Sequence, residues 1–240
     1  MKLLPVRNCG QLGIELSIND GDGTRVTRNF LDGLINIIVK RATNYFDVTG
    51  ENIFLRKEKQ ILSVICPSIA DMTCDFVMEQ PLKRKPTGEE ESTGRVDYWI
   101  NYHNYSYLLE LKHTDFFYKN ADNPPEYISK QFNSALIQLK NIRTDQCKYL
   151  TNDKGIFKVA IQTVAFYQHS KDKFEDKDVV GSFMKLIKKS PFDEKPNLIS
   201  LWLVPKKLKK HIEYNNRDQK YIYPAIAFVG YVSDMKPSCN

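Results

Sequence analysis

The sequence predicts an α/β protein with a mixed central β-sheet flanked by helices, and three observations carry that expectation. Apolar residues recur at helical spacing in three places: Phe30, Leu34, Ile37 and Ile38; Phe54, Ile61, Leu62 and Ile65; and Phe132, Ala135, Leu136, Leu139 and Ile142. Aromatic and β-branched runs at residues 95–102, 105–112, 156–167, 198–204 and 221–232 read as strands. The helical and extended patterns are interleaved, with no internal repeat and no compositional break. At 240 residues, 42% of them hydrophobic and 27% charged, the chain is suited to one domain around one large core.

Each element has its own local reason. Residues 12–18 are a short apolar stretch, and Asn19-Asp20-Gly21-Asp22-Gly23 is a turn after which Thr24 or Thr27 can cap the first helix, expected to run to about Asn44. The Asp/Gly cluster lacks the later ligands and closing glutamate of a calcium loop. The second helix carries Glu58 on its apolar face and is expected to end or kink at Pro67. Residues 75–82 look extended, and 83–94 form a polar stretch rich in turn residues, read as a loop. The next two strand runs are separated by His103-Asn104 and so make an antiparallel hairpin. Pro124-Pro125 precedes the third helix. Beyond it lie three strands joined by charged connections.

Composition narrows the chemistry. No apolar run approaches the roughly 20 residues that span a bilayer, which speaks against a membrane role. The amino end reaches Pro5 and Arg7 before building the apolar core of a secretion signal, so a cytoplasmic location is expected. The five cysteines are scattered and form no Cys-x-x-Cys pair, reading as free thiols. The four histidines form no His-x-x-x-His pair, so a metal would be held by oxygens. A formal charge of +6 suits an anionic partner. Basic residues cluster at Lys83-Arg84-Lys85, at Lys185 with Lys188 and Lys189, and at Lys206-Lys207 with Lys209-Lys210, where solvated surface is the simple alternative.

One constellation stands out. Alternate residues of a strand share a face, so Glu110 and Lys112 project together while Leu109 and Leu111 face away. Asp97, in an otherwise apolar strand across the hairpin, can bring a second carboxylate to the same place. Two acids and one lysine in a partly buried site are easier to accommodate together than singly, because an isolated buried charge costs several kcal/mol, roughly. Magnesium is commonly held by one or two carboxylates, waters and a substrate phosphate, so Asp97 and Glu110 are candidate metal ligands and Lys112 a candidate stabiliser of developing negative charge. A salt bridge across a hairpin is the structural alternative. Glu175-Asp176-Lys177, Asp193-Glu194-Lys195 and Asp218-Gln219-Lys220 match the same tripeptide but lie in polar, loop-like sequence and read as surface charge.

The run Arg95-Val96-Asp97 followed by Tyr107-Leu108-Leu109-Glu110-Leu111-Lys112 resembles the PD-(D/E)xK phosphodiesterase superfamily, with Val96 where the usual residue is proline. The resemblance covers about half of the chain. It implies a restriction-endonuclease-like core at about residues 51–170, with a carboxyl-terminal elaboration of additional strands at about 171–240. It implies a Mg2+ (or Mn2+) cofactor and hydrolysis of nucleic acid, DNA ahead of RNA, in phage defence, restriction or repair. Asp97, Glu110 and Lys112 are then catalytic. Glu58 resembles the further metal ligand on the first core helix, with Glu79 as its rival. Gln138 resembles the catalytic glutamine of the following helix, with Gln131 competing. Arg95, Lys83, Arg84, Lys85 and the basic runs near Lys188 and Lys207 are candidates for phosphate contacts. A homodimer or an activating partner protein is compatible with this reading. A catalytically inactive nucleic-acid- or protein-binding module on the same fold is the alternative.

Overall fold

The amino-terminal chain folds into a short hairpin of β1 (Leu4–Val6) and β2 (Gly10–Leu16). The expected turn follows and leads into α1 (Thr24–Thr49), which is longer than its apolar pattern suggested. Neither threonine caps it. Gly23 stands at the N-cap with φ +82°, and a Cβ there would fall 2.6 Å from the Tyr105 ring. Thr24 Oγ1 donates to the Asn19 carbonyl at 2.9 Å, and Thr27 turns into the core, its hydroxyl 3.2 Å from that of Tyr107. α2 (Glu58–Met72) runs through Pro67 instead of ending there. Proline forfeits one backbone hydrogen bond, but Ile69 is fully buried and Met72 packs on Gly33 of α1, so tertiary packing holds the last turn.

The computed structural model describes residues 1–84, 92–142, 147, 155–214 and 219–235. Within it, β3 (Phe76–Arg84), β4 (Ser92–Tyr102) and β5 (Tyr105–Phe117) form an antiparallel meander. Lys83, Arg84 and residues 92–94, expected in a loop, are instead paired strand residues, with Lys83 opposite Thr93 and Arg84 opposite Ser92, while the rest of that expected loop lies outside the described residues. Lys85 lies outside the described residues. The β4–β5 turn places His103 at φ +48° and Asn104 at φ +65°, the left-handed pair of a two-residue hairpin turn.

After α3 (Glu126–Lys140), β6 (Ile156–His169) returns parallel to β5. The charged connection that follows contains a helix, α4 (Asp176–Lys189). Its Val179, Phe183 and Leu186 are fully buried at helical spacing, and the Asp178 side chain accepts the Glu175 N–H at 2.9 Å at its start. Glu175 and Asp176 thus begin a helix rather than decorate a loop. β7 (Leu198–Leu203), a short α5 (Lys206–Lys209), β8 (Glu213–Tyr214) and β9 (Lys220–Met235) complete the chain.

The strands join in the order β1-β2-β7-β9-β6-β5-β4-β3, with β8 added to β9. Every adjacent pair is antiparallel except β5–β6, which α3 connects as a crossover. The result is the expected mixed sheet flanked by helices. α1 and α2 cover one face, with Phe30, Leu34 and Ile65 against Tyr107, Leu109 and Leu111. α3 and α4 cover the other, with Phe132, Leu136 and Phe183 near Leu108, Val164 and Phe166. No helix among the described residues is long and apolar enough to cross a membrane.

Candidate functional site

The site is built where two strands part. β4 and β5 pair from the hairpin turn as far as Tyr98 opposite Leu109, and beyond that point no described strand lies beside the β5 edge. An open edge leaves main-chain donors and acceptors to be satisfied by other means. Here side chains do it. Asp97 Oδ2 accepts the Leu111 N–H at 2.7 Å, Glu58 Oε2 accepts the His113 N–H at 3.1 Å, Lys112 Nζ donates to the Leu111 carbonyl at 3.0 Å, and the Tyr127 hydroxyl donates to the Asp115 carbonyl at 2.6 Å. Charged residues from β4, α2 and β5 thereby converge on one strand edge.

Leu109 and Leu111 enter the core under α1 and α2, while Glu110 and Lys112 occupy the opposite face and meet at 3.2 Å. Glu110 is 2% exposed. Its Oε1 accepts from Lys112, but Oε2 is buried without a hydrogen-bond partner among the described residues. The Arg84 guanidinium stands 4.0 Å away, beyond hydrogen-bond reach, and donates instead to the Arg95 carbonyl. Burial, aided by the negative charge of Asp97, pushes the Glu110 carboxyl up to about 7 despite Lys112 and Arg84. Burial likewise raises the carboxyls of Asp97 and Glu58, against the hydrogen bond from Leu111 and the charge of Lys112 respectively. Three acids and two bases share the edge, so the acids outnumber the positive charges that face them.

Glu79 sits beside this cluster in an unusual conformation. The β3–β4 ladder pairs Met78 with Tyr98 and Gln80 with Val96, yet the intervening Glu79 has φ +53°. A left-handed non-glycine residue costs about 1–2 kcal/mol. Its carboxylate faces outward to Arg95, at 3.8 Å, so Glu58 rather than Glu79 reaches the β5 edge.

The helix glutamines stand apart. Gln131 is exposed, Gln138 is half-buried, and neither forms a hydrogen bond to the cluster among the described residues. The glutamine beside Lys112 is Gln162 of β6, its parallel register partner. Gln162 is fully buried and donates to Thr114 Oγ1 at 2.9 Å, while its Oε1 takes no hydrogen bond among the described residues. Sequence reasoning missed it because the register between β5 and β6 depends on the α3 crossover. Arg84, expected to contact phosphate, is instead largely turned inward beside Glu110. Arg84 follows the buried Leu82 by two residues on the same strand, the alternation that turns it inward, and Gly94 leaves room for its side chain. The His113 ring joins Thr163 at 2.8 Å, and burial lowers its pKa to about 4, so it remains neutral near pH 7.

The basic runs are largely engaged. Lys185 and Lys189 both pair with Asp122, at 2.9 and 2.8 Å, Lys207 pairs with Asp47, and Lys209 with Asp176. Arg95 is 67% exposed and the freest of the predicted phosphate contacts whose ion pairs are described.

A hard divalent cation fits the donor set. Among the described residues no group of three or more His, Cys, Asp or Glu converges as a ready metal cage. Two carboxylates, one with a buried oxygen lacking a donor, are nonetheless the complement that magnesium uses when water and substrate supply its other ligands. Asp97 and Glu110 could hold such an ion, with Glu58 nearby. Comparison with protein-family models, curated proteins and solved structures returned no match.

Proposed function

We propose that this chain is a metal-dependent phosphodiesterase acting on nucleic acid, DNA ahead of RNA, and a member of the PD-(D/E)xK group that its motif resembles. The observation that carries the reading is Glu110: a buried carboxylate, one oxygen of which takes no hydrogen bond among the described residues, beside an ammonium and a second acid. A merely structural ion pair gains nothing from a third charge or from an orphaned oxygen. Bound Mg2+ or Mn2+ supplies an activated water and neutralises phosphate charge. Asp97 and Glu110 would hold it. Lys112, anchored by the Leu111 carbonyl and Glu110, presents positive charge where a phosphodiester gains negative charge. Glu58, bound to the strand edge through His113, adds negative potential to the metal side. Gln138 has no assigned role, and Gln162 braces the strand through Thr114.

The second reading is a binding module without catalysis. It is favoured by one observation, that Asp97 and Glu58 each already satisfy a main-chain N–H. Cleavage of a mixed DNA and RNA panel with Mg2+, Mn2+ or EDTA decides between them. Metal-dependent cleavage that falls about a hundredfold or more in Lys112→Ala is expected. Absence of cleavage, or cleavage untouched by that substitution, overturns the phosphodiesterase reading.

A further inference from the structure

Three residues past Lys112 on the same strand, about 10 Å along it, Asp115 borders a cavity of about 420 Å3. Arg56, Tyr167, Glu213, Tyr221 and Tyr223 also line it. The three tyrosines are half-exposed. Tyr167 meets Tyr221 edge to face at 5.4 Å and lies tilted at 5.9 Å from Tyr223, while Tyr221 stacks on His169 at 4.9 Å. Aromatic rings left half-exposed at strand ends, where no described helix covers them, offer flat surfaces to a flat ligand.

The polar groups of the cavity are not equivalent. Arg56 is bound to Glu51 at 2.6 Å and Glu213 to His211 at 2.8 Å. The Asp115 carboxylate takes no hydrogen bond among the described residues, and the neutral His113 ring stands 3.9 Å away. Among the described residues, Asp115 is therefore the carboxylate of this cavity left free to accept from a ligand. A carboxylate accepts two parallel hydrogen bonds from a planar ligand with adjacent N–H groups. Among the nucleobases, guanine carries that pair on its Watson–Crick edge, at N1 and the exocyclic amine. An organic cation also suits rings and a carboxylate. Continuity along the β5 edge with Glu58, which accepts the His113 N–H two residues before Asp115, places the cavity beside the candidate site and favours a segment of nucleic acid.

We propose that this cavity takes one unpaired guanine of the strand bound at the candidate phosphodiesterase site, stacked on the tyrosine rings with Asp115 accepting its N1 and amino hydrogens. The inference rests on the phosphodiesterase reading for its biological setting, but the pocket can be tested without catalysis.

The test has two arms. In the first, binding of guanosine, inosine, adenosine, uridine and spermidine is measured by NMR without metal, for the native chain, Asp115→Asn and Tyr167→Ala, with thermal melts to establish folding. Guanosine is expected to bind ahead of inosine, which lacks the amine, and to weaken about tenfold or more in folded Asp115→Asn. Equal guanosine binding by the native chain and Asp115→Asn, preference for spermidine, or no nucleoside binding overturns the proposal. In the second arm, single-stranded oligonucleotides with one guanine at varied positions are cut in the presence of Mg2+. A cleavage position that follows the guanine supports the pocket, and one indifferent to it overturns the pocket. Guanosine binding without cleavage overturns the phosphodiesterase reading alone, and metal-dependent cleavage without guanosine binding or base preference overturns the pocket alone.

Discussion

Glu110 is a carboxylate held out of reach of water, and its environment has a measurable consequence. Its pKa rises from an ordinary 4.5 to about 7 in the fold, so the folded chain holds this proton more tightly than the unfolded chain does. The corresponding stability is fully present below the ordinary value and is lost as pH climbs through about 7, to a total of about 3 kcal/mol. Asp97 opposes ionisation, while Lys112 and Arg84 favour it and limit the loss. Glu110→Gln is expected to melt at a higher temperature than the native chain at pH 8 and at nearly the same temperature at pH 4. An unchanged difference across that range, in melts followed by circular dichroism, would sink this account. Asp97, Glu110 and Lys112 were legible as a set because strand alternation and a two-residue turn are local properties. Gln162 beside Lys112, the inward turn of Arg84 and the left-handed Glu79 were not, since each depends on a neighbour distant in sequence.

At the scale of elements, the site depends on β5 continuing after β4 has left it. That departure creates the edge to which Asp97 and Glu58 are bound, so the acids owe their position to unfilled backbone groups. Glu58→Ala is expected to leave the His113 N–H without its acceptor and to cost about 1–3 kcal/mol in denaturant unfolding. No loss beyond about 0.5 kcal/mol would mean that this edge is satisfied otherwise. Helices were read by their apolar period, which succeeded for α1, α2 and α3. It failed for α4, whose three buried residues form a narrow stripe interrupted by Gly181, Ser182 and Lys185 and flanked by Asp176, Asp178, Lys188 and Lys189. The importance of that narrow stripe can be measured: Phe183→Ala is expected to cost about 3–5 kcal/mol, far more than a solvated connection would lose.

Across the whole molecule, charge is less available than composition suggests. Much of the positive excess is tied to acids on neighbouring elements, as Lys185 and Lys189 are to Asp122. Nucleic-acid binding should still weaken with salt, because phosphate contacts release counterions. Arg95→Ala is expected to reduce the salt slope by about one, and Lys207→Ala to leave it nearly unchanged. Equal slopes for the two variants, in titrations from low to physiological salt, would place the interface elsewhere. The proposed metal site has a companion test: on that reading, Mg2+ should raise the melting temperature of the native chain more than that of Asp97→Asn.

The sequence by itself determined the helices with strong apolar faces, the hairpin, the major strands, and the pairing of Glu110 with Lys112 on one strand face. These follow from periodicity and turn chemistry within a few residues. Only the tertiary structure decided the strand order, the single parallel pair that sets Gln162 beside Lys112, and the burial that leaves Glu110 short of a partner. The same long-range assembly gathered Asp115 and the tyrosines of β6 and β9 around one cavity. The reason is physical: periodicity reports which face of an element is apolar, whereas register and desolvation arise only when distant elements pack together.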